Sequence, residues 1–109
     1  MNETAFLPAL LDSLTEPLLV ADPGHKVVYM NRAAVAYYKG GESLLGTSLL
    51  DCHSAASQEI MRGILAALQA GEEERLFTDT EAKRVYMRAV RGQDGQLLGY
   101  YERYAPPAR

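Results

Sequence analysis

At 109 residues the chain is one domain of ordinary size, able to bury a single core, with little room for a second, catalytic lobe. Eleven Lys and Arg against fourteen Asp and Glu give a net charge of -3, with no basic run along a helix, which argues against a nucleic-acid surface. No apolar run could span a bilayer, the start Met1-Asn2-Glu3-Thr4 lacks the basic residues of a secretory signal, and the lone Cys52 has no intrachain disulfide partner. The chain therefore reads as cytoplasmic, with no membrane partner.

Phe6, Leu7, Leu10, Leu11 and Leu14 recur at helical spacing, predicting an amphipathic helix from about Thr4 to Ser13. The stretch from Pro17 to Ala34 follows. Its two apolar runs flank Asp22-Pro23-Gly24, a turn in which Pro fixes φ, Gly accepts positive φ and Asp bonds the backbone ahead. The second run stops at Asn31, which can accept from the first free N–H groups of a helix beginning near Arg32. His25, in the turn, is expected to face solvent and is assigned no role.

A short helix over Ala33–Tyr38 ends at Lys39-Gly40-Gly41, and further turns are expected between Leu44 and Leu50, around Gly46. Ile60, Met61, Ile64, Leu65 and Leu68 place an apolar stripe on a longer helix, capped by Ser54 or Ser57 and ended at Gly71. Beyond it the pattern becomes strands. Arg75–Thr80 alternates, and Arg84–Arg91 puts Val85, Met87 and Ala89 on one face and Tyr86, Arg88 and Val90 on the other. Gly92-Gln93-Asp94-Gly95 then turns the chain into a last strand over Leu97–Tyr104. The tail Ala105-Pro106-Pro107-Ala108-Arg109 reads as a linker that cannot continue a strand.

The Asp22…Gly24…Asn31…Ala33 pattern resembles the opening hairpin of the PAS domain family. Glu42-Ser43-Leu44-Leu45-Gly46-Thr47-Ser48-Leu49-Leu50 and Val90-Arg91-Gly92-Gln93-Asp94-Gly95-Gln96-Leu97-Leu98-Gly99-Tyr100 are similar to two later family segments, in the same order. The resemblance divides the chain into an N-terminal helix (1–14), a PAS domain (15–104) and a tail (105–109). It implies an α+β fold: a five-stranded antiparallel sheet with helices on one face. Periodicity alone yields only α+β.

The family further implies a sensory or signalling module that binds a small ligand or a partner protein and passes its state through a homodimer interface to an effector. Phe6, Leu7, Leu10 and Leu14 are the candidate dimer contacts. Tyr38, Cys52, His53, Met61, Leu65, Met87 and Tyr100 are the candidate ligand-binding residues. In haem-binding members the iron ligand is often a His near the long helix, so His53 is the candidate haem ligand, with Cys52 a soft donor beside it. The bland reading is that Cys52 packs as a small apolar residue while His53 bonds a loop carbonyl. Light-oxygen-voltage domains carry a flavin-reactive Cys soon after the position of Gly46, whereas Thr47-Ser48-Leu49 has none, which argues against flavin. In the photoactive yellow protein group the chromophore Cys lies further downstream than Cys52.

No Ser-His-Asp order with a nucleophile elbow, phosphate-cradling glycine loop or His-rich metal motif appears, and a nucleophile rarely has its base as a chain neighbour, as Cys52-His53 would require. The sequence is therefore not read as an enzyme. Two alternatives stand beside the sensory module: a haem-dependent gas or redox sensor, and a ligand-free dimerisation or docking domain with a filled core.

Overall fold

The computed structural model describes residues 3–107; Met1 and Asn2 of the N-terminal segment and Ala108 and Arg109 of the tail lie outside the described residues. Helix α1 (Glu3–Asp12) precedes the hairpin of β1 (Leu19–Ala21) and β2 (Val27–Met30). Then come α2 (Arg32–Tyr37), two 3-10 turns (Gly41–Leu44 and Leu49–Cys52), α3 (Ala55–Gln69), β3 (Glu74–Asp79), β4 (Arg84–Arg91) and β5 (Leu97–Ala105). The strands form one antiparallel sheet in the order β2-β1-β5-β4-β3. This is the PAS-like α+β arrangement.

The alternation of β4 decides its faces. Val85 and Met87 are buried while Tyr86 and Arg88 are only partly covered. On β5, Tyr100 and Glu102 are buried and Tyr101 and Arg103 lie opposite. The inner face packs Leu19, Ala21, Met87 and Tyr100 against Met61, Ile64 and Leu68 of α3, with Val27, Met30, Ala34 and Leu49 closing the same core. Ile60 departs from the expected stripe: Met61, Ile64 and Leu68 stack at helical spacing toward the sheet, which leaves Ile60 on the solvent flank, 51 % exposed. Ser54 is the α3 cap, its hydroxyl accepting from the Ser57 N–H.

At the far end of α3 the chain reverses at Gly71, whose φ of 115° suits glycine. The Arg91 guanidinium donates to the carbonyls of Leu68 and Glu72 at 2.6 and 2.7 Å, placing a cation where the helix leaves carbonyls free. The strand β5 runs one residue further than its sequence suggested, because Ala105 pairs with Arg84. Among the described residues no helix is long and apolar enough to cross a membrane.

Candidate functional site

A cavity of about 460 Å³ opens between the sheet and the short helical elements. Leu19 of β1, Phe77 and Thr78 of β3, Val85 of β4, and Glu102 and Tyr104 of β5 line the sheet side. Tyr37 of α2 and Tyr38 just after it, with Lys39, Leu44, Leu49, Cys52 and His53, line the helical side, and Lys83 reaches in from the β3–β4 hairpin. The volume is in the range of small-molecule sites. The helical side is built of short turns joined through Gly40, Gly41 and Gly46, all at positive φ, and its backbone bonds are mostly local, with Gly46 N–H and Leu49 N–H tying it to Val27 and His25.

Polar atoms gather in one part of this otherwise apolar space. Glu102 is 9 % exposed, because the inward-facing register of β5 places it between Tyr100 and Tyr104. Its Oε1 accepts from the Tyr38 hydroxyl at 2.8 Å and the Tyr104 hydroxyl at 3.2 Å, and the two hydroxyls are themselves hydrogen-bonded. Burial and then the Glu102 charge hold both phenols well above their usual range, so they stay protonated and donate. Tyr37 contacts both rings edge-on, with centroids 5.0 Å from Tyr38 and 5.7 Å from Tyr104. The Lys83 ammonium donates to the Tyr37 hydroxyl at 3.2 Å and lies 5.4 Å from the Tyr104 ring centroid.

His53 Nδ1 lies 2.9 Å from the Leu49 carbonyl oxygen. A carbonyl only accepts, so Nδ1 carries the proton and the neutral ring keeps its bare lone pair on Nε2. The ring stands edge-on to Phe77, centroids 5.7 Å apart. Cys52 is exposed, and among the described residues no group of three or more His, Cys, Asp and Glu could hold a metal ion.

Of the ligand-binding candidates, the structure brings Tyr38, Cys52 and His53 together at the cavity. Met61, Met87 and Tyr100 are fully buried in the core, with Leu65 packed against them, and they do not line the cavity. Glu102, Lys83, Tyr37, Tyr104 and Phe77 line it and were not singled out as site residues. One signal was present: period-2 alternation puts Glu102 on the same face as Tyr100 and Tyr104, an ionisable residue at an inward position. Phe6, Leu7, Leu10 and Leu14, the dimer candidates, are 44–59 % exposed in the single chain.

His25 differs from the sequence reading. It is buried, not solvent-facing, and its Nδ1 is 2.8 Å from the Tyr100 hydroxyl. The segment after Gly46 folds over the hairpin: Val27 N–H donates to the Thr47 carbonyl, and Leu49 N–H to the His25 carbonyl at 2.7 Å. A turn residue that would otherwise point to water is thereby covered.

A sequence model of the family described as the PAS fold matches residues 11–106. No curated protein sequence matches the chain. Among solved structures, a C-terminal domain from Streptococcus mutans is similar with a TM-score of 0.74 at 20% identity, over 94% of this chain and 84% of that one. The PAS domain of a protein from Colwellia psychrerythraea gives 0.70 at 11% identity, over 96% and 97%. A sensory box sensor histidine kinase from Vibrio cholerae gives 0.64 at 14% identity, over 97% and 93%. At these identities the likeness is one of fold.

Proposed function

The chain belongs to the PAS fold family, and from that premise we propose that it is a cytoplasmic sensory module that holds a small ligand in the cavity between its short helices and its sheet. The observation that carries this reading is the cavity itself, about 460 Å³ with apolar walls and a buried carboxylate held by two phenols. The fold likeness to a sensor histidine kinase supports a signalling context.

The output is mechanical. A ligand that prefers one arrangement of α2 and the 3-10 turns shifts their populations, and the shift reaches α1, which packs on α2. The exposed Phe6, Leu7 and Leu10 of α1, with Leu14 just after it, give an apolar surface suited to the same surface of a second copy across a two-fold axis.

The test is native mass spectrometry of the chain purified without denaturation, beside Leu44→Trp, which fills the cavity from its helical wall. The wild type is expected as a dimer carrying a small-molecule adduct. Leu44→Trp should lose the adduct and keep the dimer, and Leu7→Glu with Leu10→Glu should be monomeric. A wild type with no adduct, and no small-molecule uptake on soaking in cell extract, returns the chain to a ligand-free docking domain.

A second reading rests on His53. Its Nδ1 donation to the Leu49 carbonyl leaves Nε2 without a proton, so His53 is the residue that would hold a haem iron. The buried Glu102 carboxylate fits poorly against an apolar porphyrin face. A Soret band lost in His53→Ala would establish the haem sensor; a chain that stays colourless with added haem would eliminate it.

A further inference from the structure

We infer that the cavity ligand is a small organic cation, a protonated amine on an apolar body, with Glu102 as its counter-ion. The inference rests on the ligand-binding reading above and names the chemical class that the site accepts.

Three oxygens, those of Tyr38, Tyr104 and Glu102 Oε1, share the two phenolic protons. Each phenol has one proton to give, and both are committed within the cluster, so the cluster offers a ligand acceptors and no donor. Glu102 is nine-tenths buried, yet none of the ion pairs among the described residues includes it. A carboxylate removed from water is ordinarily matched by a cation. Here two neutral phenols serve, and among the described residues no cation is paired with it.

The rings around Glu102 point to the same chemistry. Tyr37, Tyr38 and Tyr104 present a cluster of π-faces and edges at the mouth. The chain's own ammonium has settled there, Lys83 Nζ lying 5.4 and 5.8 Å from the Tyr104 and Tyr37 centroids. Lys83 acts as a tethered stand-in: half-buried, on the β3–β4 hairpin, and short of an ion pair with Glu102. An amine that enters past it meets the carboxylate directly while its body lies against Leu19, Leu49, Phe77 and Val85. Its arrival displaces Lys83 and breaks the 3.2 Å bond to Tyr37, the tie between the hairpin and α2.

The test is calorimetric titration of the full chain with three probes that share a phenylethyl body: 2-phenylethylamine, 2-phenylethanol and 3-phenylpropionate. The amine is expected to bind about tenfold tighter than the alcohol, and the carboxylate most weakly. Glu102→Gln should bind the alcohol as before and lose the tenfold preference for the amine. Lys83→Met, which removes a competing cation, should raise that preference several-fold. If Glu102→Gln does not melt cooperatively, Lys83→Met alone decides, and an unchanged preference there overturns the inference. An amine that binds no tighter than the alcohol also overturns it while leaving the ligand-binding reading intact. A carboxylate that binds tightest overturns it in favour of anion recognition at the mouth. No binding of any probe at millimolar concentration overturns both.

Discussion

His25 and Gly99 are each fixed by a neighbour far away in sequence. The His25 backbone sits at a φ of 68°, its carbonyl accepts from Leu49 N–H, and its ring bonds Tyr100 on β5. Burial first, and the Arg62 charge second, lower its pKa from the ordinary 6.5, against a smaller opposing effect of Asp22. The folded protein therefore binds this proton less readily than the unfolded chain. Stability contributed by the neutral ring is complete above 6.5 and is lost as pH falls from there through the lowered folded value. Urea unfolding from pH 7.5 to 5 should show this loss, and His25→Gln should flatten it. Gly99 is constrained by space, because a Cβ there would collide with the Ala21 carbonyl oxygen where β5 meets β1. Gly99→Ala should lower stability by about 1–3 kcal/mol, read from the urea midpoint.

At the scale of elements, Asn31 joins four segments. Its Oδ1 accepts from Leu18 N–H and Ala34 N–H at 2.9 Å, and its Nδ2 donates to the carbonyls of Leu11 and Glu16 at 2.9 and 3.1 Å. Asp12 adds a bond from the Arg32 N–H at 2.8 Å, so the end of α1 and the start of α2 are bound as one piece. Replacing Asn31 by Ala removes all four bonds, the one to Ala34 buried and the other three part-buried. The expected cost is about 3 kcal/mol, with amide exchange accelerated at both α1 and α2.

The sequence made the cap of α2 legible, because Asn before helix formers has a local reason to be there. The strand faces of Arg84–Arg91 were legible for the same reason, since alternation is written in neighbouring residues. Asn31's bonds to Leu11 and Glu16 were not, and neither was the burial of His25 beneath the segment after Gly46. Both depend on contacts between residues 15 or more apart in sequence, and local pattern carries no record of them. The site divides similarly. Tyr38, Cys52 and His53 flank short helices and could be placed by the family pattern. Lys83 and Glu102 come to the same cavity only through the β4–β5 register, which pairs Val85 with Tyr104 and Met87 with Glu102.

For the whole molecule, the sheet provides the floor of the cavity and the short helices its wall. Tyr37 and Tyr38 carry the cavity's polar contacts into α2, and Asn31 at the start of α2 carries them on to α1 with its exposed apolar face. Under the function proposed above, occupancy and dimer contact would be two readouts of one connected set of elements. The measurement that tests this most directly is hydrogen–deuterium exchange of the full chain, with and without saturating amounts of the tightest of the three phenylethyl probes. Exchange is predicted to slow in Arg32–Tyr37 and Leu49–Cys52 and to change together with them in Glu3–Asp12, with no such response in Leu44→Trp. An unchanged pattern at saturation, or a response confined to the cavity wall while α1 stays as it was, would contradict the account.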